Sequence, residues 1–237
     1  IILGVYSFTL PQCPPQKLID KNVSFAKKLG LDAFKLFGTY KMAIFFIFSM
    51  FLGAALQLTN MYGDVYMSEF GNMPEYADSF VVQKSTLIMS ISQFSETAFI
   101  LAIPFFLKRF GIKQVMLISM LAWVLRFGFF AYGDPSVGGT LMIILSCIVY
   151  GMAFDFFFFS GSLFIETTTD SSIRSSAQGL FMMMSNGFGA FFGGIISGQV
   201  IDAFFTHDGV RDWHNIWLAF AAYALIIALA FSVLFKH

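Results

Sequence analysis

The chain is built from long apolar stretches that alternate with short polar segments. Six of the stretches reach the length of about 20 residues that crosses a bilayer as an α-helix. Charged residues are concentrated between them. The pattern therefore predicts an all-α membrane protein with a six-helix bundle. In chain order the predicted helices, which we call the first to the sixth span, are Met42–Met67, Ser85–Leu107, Gln114–Tyr132, Thr140–Ile165, Ser176–Phe205 and Ile216–Phe235.

The residues before the first span divide into two parts. Residues 1–10, IILGVYSFTL, begin halfway through an apolar run and are interpreted as the end of a preceding helix. Residues 11–41 open on a Pro-rich break and are too charged to span. They have room for one or two short amphipathic helices on the membrane surface, and a solvated linker is the alternative. The six-helix bundle is then expected at residues 42–237.

The composition agrees with a membrane protein. Apolar residues make up 57% of the chain and charged residues 12%, whereas soluble domains have about 45–50% and about 25%. Cys13 and Cys147 form no disulfide or metal pattern, and the three histidines lack metal-ligand spacing. Known catalytic signatures are absent from the sequence. We therefore expect that the protein is not an enzyme and that it binds no metal and no cofactor.

The lysines and arginines predict the orientation, because loops on the cytoplasmic side carry an excess of them. If residues 11–41 are cytoplasmic, the opposite side has only Lys84 and Arg211, and Arg126 lies inside the membrane. The C-terminus is then cytoplasmic. The basic residues on the cytoplasmic side would be Lys17, Lys21, Lys27, Lys28, Lys35, Lys41, Lys108, Arg109, Lys113, Arg174 and Lys236.

Two spans carry a pair of polar side chains three residues apart, which places each pair on one helix face. The first span has Gln57 and Asn60, and the second has Gln93 and Glu96. With a rise of about 1.5 Å per residue, Glu96 lies roughly 16 Å below the outer boundary, near the middle of the bilayer. Hydrogen bonding between helices is the alternative role for any one of the amides.

The fourth span holds a single charge, Asp155, in an apolar run. An acid at this depth normally faces a protein interior or a wet cavity, either as a substrate or proton site or as a structural group bonded to a neighbouring helix. Tyr150 and Phe154 precede it within one and a half turns. Tyr150 and Asp155 are about 140° apart around an ideal helix, so one cavity contains both only if it is wide or if the helix is irregular near Gly151.

Two further features concern the third and fifth spans. Arg126 lies two turns from the outer end of the third span, so we expect its side chain to reach the headgroups, with a contact to Glu96 as the alternative. The fifth span is rich in glycine, with the small-residue pairs Gly189/Gly193 and Gly194/Gly198. These pairs predict close packing against another helix. The remaining glycines of this span, Gly179 and Gly187, are also expected to pack closely. For Asn186, a binding role is the secondary hypothesis.

Several segments resemble a known family. The turn LKRFGIK between the second and third spans is similar to the D-R-x-G-R-[RK] loop of the major facilitator superfamily, without its leading Asp. The segments KMAIFFIFSMFLGAALQLTNMYG, IMSISQFSETAFIL, IPFFLKRFGIK, AYGDP, IVYGMAFDFFFFSG and RSSAQGLFMMMSNGFG closely resemble the C-terminal half of bacterial nucleoside:proton symporters of this superfamily. The likeness extends from Leu29 to Phe235.

The resemblance implies helices seven to twelve of a twelve-helix transporter in the bacterial inner membrane. Its expected partners are nucleosides, protons, the lipid bilayer and an N-terminal six-helix half, and no nucleic acid. Residues 11–41 would then be the cytoplasmic linker between the halves. The nucleoside contacts that the resemblance implies are the polar and aromatic residues described above, Gln57, Asn60, Gln93, Glu96, Tyr150, Phe154 and Asp155.

The implied activity is proton-coupled nucleoside uptake by alternating access. A sugar or drug transporter of the same superfamily is the alternative. A membrane-embedded enzyme or receptor would need a catalytic set or a large extramembrane domain, and the sequence shows neither. Asp155 and Glu96 are the candidates for proton coupling, and Asp155 is favoured because it lies deeper, beside the run Phe156–Phe159.

Overall fold

The computed structural model describes residues 2–11 and 29–236. Cys13, His237, four of the linker lysines and most of the predicted amphipathic segment lie outside these ranges. The helices are α1 (Ile2–Ser7), a 3-10 helix (Leu31–Gly38), α2 (Tyr40–Glu69), a 3-10 turn (Phe70–Asn72), α3 (Phe80–Gln83), α4 (Ser85–Ala131), α5 (Val137–Thr168), α6 (Arg174–Met182), a π-helix (Met183–Gly189), α7 (Ala190–Phe204) and α8 (Trp213–Leu234). Thr206–His207 and Val210–Arg211 pair as an antiparallel hairpin, β1 and β2.

Within the described residues these helices form the six predicted spans. Five stretches are long and apolar enough to cross a membrane, and one of them, α4, has 47 residues. Gly111 interrupts α4 with φ 77° and ψ 170°, a conformation that side chains with a Cβ rarely adopt. Residues 85–110 and 112–131 are therefore the second and third spans, and the break falls inside the predicted basic turn. The first, fourth and sixth spans are α2, α5 and α8.

The fifth span is Arg174–Phe204, which joins α6, the π-helix and α7 without a loop. The π-helix was not predicted, because its sequence, MMSNGFG, has no proline and its two glycines are equally compatible with close packing of an α-helix. Such segments frequently occur at functional sites. Asn186 lies within it, and its side chain is exposed and contacts the Met182 sulfur at 3.7 Å.

Phenylalanine rings fill the centre of the bundle near the predicted cytoplasmic side. Phe45 of the first span lies 5.0 Å from Phe164 of the fourth and 5.1 Å from Phe181 of the fifth, measured between ring centroids. At the other end, Trp217 of the sixth span packs 4.8 Å from Phe130 and 5.6 Å from Tyr66. Buried aromatic rings contribute large contact areas, so these two clusters hold the spans together at both ends.

Glycines let the first and fifth spans approach backbone to backbone. A Cβ added at Gly53 would lie 1.9 Å from the Ser185 carbonyl oxygen, and one added at Gly189 would lie 2.4 Å from the Met50 carbonyl oxygen. A Cβ added at Gly193 would lie 2.8 Å from the Ala54 Cα atom. The predicted packing of the Gly189/Gly193 pair is therefore confirmed.

The other fifth-span glycines do not pack as predicted. Added Cβ atoms at Gly194 and Gly198 would meet only the side chains of Met61 and Tyr62, at 3.4 Å or more. A Cβ at Gly179 would have nothing within 4 Å, and one at Gly187 would meet only Met183 of the same span. Close helix packing therefore depends on one of the two small-residue pairs.

Candidate substrate site

The second and fourth spans touch where the predicted site residues lie. A Cβ at Gly151 would lie 2.5 Å from the Ser95 carbonyl carbon and 2.6 Å from the Glu96 amide nitrogen, so only glycine allows the observed approach. The Ser95 hydroxyl donates a hydrogen bond to the Ile148 carbonyl across the same contact. This packing sets Glu96 beside the aromatic face of the fourth span.

Three rings form a ladder along the fourth span. Tyr150 and Phe154 stack with centroids 5.9 Å apart and planes 7° apart, and Phe158 follows 4.6 Å from Phe154. Trp123 of the third span packs edge-on against Tyr150 at 5.9 Å. Tyr150 is 7% exposed and Phe158 is 9% exposed, whereas Phe154 is partly exposed, so Phe154 is the most accessible ring of the ladder. A planar apolar ligand can stack on such a surface.

Asp155 is buried, with 2% of its surface exposed, and its Oδ2 atom has no hydrogen-bond partner within the described residues. It lies within electrostatic range of Glu96 and Tyr150. Tyr150 and Asp155 thus occupy one neighbourhood although they are five residues apart, and the close approach at Gly151 brings Glu96 to both. A carboxylate without partners is costly in apolar surroundings, and a bound proton would remove its charge.

The amides and Glu96 have a different environment. Asn60 and Gln93 are exposed, and Gln57 and Glu96 are partly exposed. Within the part of the chain that the structure describes, none of these four side chains makes a hydrogen bond to another helix. Within the described bundle, hydrogen bonding between helices, the alternative role for the amides, is not seen. Their polar atoms lie on surfaces that no described helix covers, and we call these surfaces the open side of the bundle.

The prediction that Arg126 reaches the headgroups is wrong. Its side chain is fully buried, and Nη1 donates to the Ser146 carbonyl oxygen at 2.8 Å while Nε donates to the Thr59 hydroxyl at 3.3 Å. The guanidinium lies 4.2 Å from the centroid of the Tyr150 ring. Glu96 is within electrostatic range, but no ion pair between the two forms within the described residues. Hydrogen-bond acceptors on the first and fourth spans therefore keep the charged group inside the bundle. The sequence of the third span alone does not reveal these acceptors.

The arrangement unites most of the predicted residues. Tyr150, Phe154, Asp155 and Glu96 share one neighbourhood, centred on the contact of the second and fourth spans. Gln57 and Asn60 flank Thr59, whose hydroxyl accepts the Arg126 hydrogen bond, so the first span is tied to the same region. Sequence reasoning missed the role of Arg126 and the π-helix.

The fold is that of the major facilitator superfamily. Crystal structures of nucleoside transporter NupG superpose on the chain with a TM-score of 0.83 at 55% identity and, for a point mutant, 0.87 at 54% identity. They match 100% and 99% of this chain and 58% of the NupG chain. The predicted class, an all-α membrane bundle of this superfamily, is confirmed.

The sequence comparisons identify the family within that class. The family model described as Nucleoside H+ symporter matches residues 1–237. The chain is 57% identical over 237 residues to xanthosine permease and 55% identical over 236 residues to nucleoside permease NupG, both of Escherichia coli (strain K12). All of this chain and 56% of each relative are covered, so the chain spans a little over half their length. The chain belongs to the nucleoside H+ symporter family and is a multi-pass membrane protein.

Proposed function

We propose that this chain is the C-terminal half of a transporter that takes up nucleosides together with protons by alternating access. The observation that carries the proposal is a set of amides and acids on three spans that make no side-chain hydrogen bond to another helix within the described residues, together with the stacked rings of Tyr150 and Phe154 near Glu96. Membership of the nucleoside H+ symporter family supports it, since relatives named as nucleoside and xanthosine permeases are 55–57% identical.

The side chains fit the two parts of a nucleoside. Gln57, Asn60 and Gln93 can donate to and accept from ribose hydroxyls and base edges, because each amide carries both kinds of group. The Tyr150–Phe154 ladder offers a flat surface to the base, and stacking of a base on an aromatic ring contributes about 1–3 kcal/mol. The substrate would therefore lie between the ladder and the amides of the first two spans.

The two acids would divide proton coupling and substrate binding. Asp155 is buried and has an unpartnered oxygen, whereas Glu96 is partly exposed and beside the open face. A proton on Asp155 removes a charge from an apolar interior, so protonation can accompany the conformational change. Glu96 is better placed to accept hydrogen bonds from substrate hydroxyls.

The transporter would be completed by an N-terminal six-helix half, which supplies the other side of the site. Residues 1–10 would end the sixth helix, residues 11–41 would form the cytoplasmic linker, and residues 42–237 would be the C-terminal bundle. With the basic residues of the linker and of the turn near Gly111 on the cytoplasmic side, the C-terminus is cytoplasmic in the inner membrane. The two halves would rock around a site near the membrane midplane.

The test is uptake by the complete transporter in vesicles with an imposed pH gradient. Radiolabelled uridine and adenosine should accumulate and sugars should not. Asp155→Asn should abolish accumulation yet retain exchange of nucleoside without a gradient, and Glu96→Gln should weaken binding. The exposed acid Asp202 of the fifth span provides the matched control, and Asp202→Asn should behave like the unmodified protein. Gradient-driven accumulation by both Asp155→Asn and Glu96→Gln would place the proton site elsewhere, and accumulation of sugars alone would refute the substrate class.

A further inference from the structure

Arg126 is a buried cation in the middle of the bundle, and the proposed function assigns no role to it. The third span, on which it lies, supplies none of the predicted substrate residues. Yet two of its side chains, Trp123 and Arg126, both contact the Tyr150 ring. They are three residues apart and so project from one face of the helix. Tyr150 is therefore held from behind by a span that does not itself line the open side.

The guanidinium is fixed by hydrogen bonds to two other spans. Nη1 donates to the Ser146 carbonyl oxygen at 2.8 Å, and the Ser146 hydroxyl donates back to the Arg126 carbonyl oxygen at 2.9 Å. Nε donates to the Thr59 hydroxyl of the first span. Ser146 precedes Tyr150 by one helical turn on the same face. The cation is thus anchored one turn away from the ring that it contacts.

The contact with Tyr150 has the geometry of a cation–π interaction. The Arg126 Cζ atom lies 4.2 Å from the centroid of the ring, within the range of about 6 Å over which such contacts act. A planar guanidinium with fixed hydrogen bonds holds a ring more firmly than a flexible ammonium does. Tyr150 in turn stacks nearly parallel on Phe154, so the orientation of the first ring sets that of the second.

We propose that Arg126 is a positioning residue of the nucleoside site, which acts through Tyr150 by holding the Tyr150–Phe154 pair in the orientation that receives a base. This inference rests on the proposed function and adds a residue to it. Arg126 does not touch the substrate, because its side chain is fully buried behind the ring. Its effect on binding should therefore depend on the presence of Tyr150.

The test is a double-mutant cycle on the complete transporter, purified in detergent, with radiolabelled adenosine and uridine as ligands. Arg126→Gln keeps a donor at the position of Nε, which faces the Thr59 hydroxyl, but removes the cation and the Nη1 donor, and it should raise the Kd about tenfold. Arg126→Lys keeps the charge without the planar fork, so its Kd should be intermediate. In a Tyr150→Leu background both changes should alter the Kd less than about twofold, since the ring they position is gone.

The matched control is Lys113, a second cation of the third span, which donates to the Ser232 carbonyl oxygen of the sixth span at 3.0 Å. It lies about 20 Å along the helix from Arg126, so Lys113→Gln should leave the Kd unchanged. Thermal unfolding of each variant separates stability from affinity. A merely structural Arg126 would lower the melting temperature and leave the Kd of the folded protein unchanged.

Three outcomes overturn the inference. The first is an unchanged Kd in folded Arg126→Gln, and the second is an equal rise in Kd with and without Tyr150. If the Arg126 variants do not fold, Thr59→Val decides the matter, because it removes only the Nε partner. It should raise the Kd a few-fold, and an unchanged Kd is the third contrary outcome. Failure of the unmodified transporter to bind any nucleoside would refute the proposed function itself, and this inference with it.

Discussion

At Gly151, the packing of the second and fourth spans and the geometry of the candidate site depend on the same contact. Gly151→Ala should therefore perturb both the packing and the site. The new Cβ would lie 2.5 Å from the Ser95 carbonyl carbon, whereas ordinary contacts begin at 3.4 Å. The second and fourth spans must then separate by about 0.9 Å, because backbone atoms cannot rotate away as a side chain can. Glu96 would move away from Tyr150 and Asp155 by a similar amount.

Overpacking of this kind costs about 1–3 kcal/mol, offset in part by the better helix propensity of alanine, worth about 0.5–1 kcal/mol. The displacement should also weaken nucleoside binding at least tenfold, since a hydrogen bond from about 2.9 Å would be stretched beyond its useful range. Gly128→Ala in the third span is the matched control, because a Cβ there has nothing within 4 Å. Thermal unfolding and ligand binding measured on both variants decide the matter. A Gly151→Ala protein as stable and as tightly binding as Gly128→Ala would refute the reasoning.

Three further predictions concern the open face, the end of the bundle and its interior. Gln57→Ala and Asn60→Ala should each weaken the free energy of nucleoside binding by about 1–3 kcal/mol with stability unchanged, and binding titrations that show no change in either would exclude both from the site. Asp212 accepts two hydrogen bonds at the start of the sixth span, chiefly from the Asn215 side chain, which lowers its pKa. Asp212→Ala should destabilise the protein by about 1 kcal/mol at neutral pH. The contribution of the carboxylate is present above the usual pKa and lost as the pH falls through the folded value, so a constant difference in unfolding temperature down to low pH would contradict it. Ser119→Ala removes the buried bond to a fourth-span carbonyl and should cost about 0.5–1 kcal/mol without altering nucleoside affinity; a weaker affinity would make Ser119 part of the site.

The spans could be predicted because the bilayer imposes a length and a polarity that a single sequence displays directly. The bounds of the first span illustrate the limit: Met42–Met67 is predicted and Tyr40–Glu69 is observed, because helices continue into the headgroup region where polar side chains are tolerated. The turn at Gly111 is another case. The basic residues locate it, but only the backbone shows that a single non-helical residue, Gly111, joins the two helices.

The location of Arg126 could not be predicted, because it depends on residues of two other spans. The third span offers its charge no acidic partner, and snorkelling is the ordinary solution for a lone arginine near a helix end. Thr59, Ser146 and Tyr150 provide an inward alternative only after the spans have packed. The π-helix at Met183–Gly189 could not be predicted for a related reason. Local sequence encodes the propensity for a helix, but not the extra residue that a π-helix has in one turn.

Short and long polar side chains have different surroundings in the bundle, and this difference supports the proposed site. The hydroxyls of Ser95, Ser119 and Ser146 donate to backbone carbonyls of adjacent spans, where a short side chain fits between closely packed helices. The longer amides and Glu96 make no such bonds within the described residues and lie on the open side. Serine hydroxyls thus suffice to join the spans that they link, so helix pairing does not require the amides. Polar groups at membrane depth are costly without a partner, and the proposed nucleoside contacts would supply one to the amides and to Glu96.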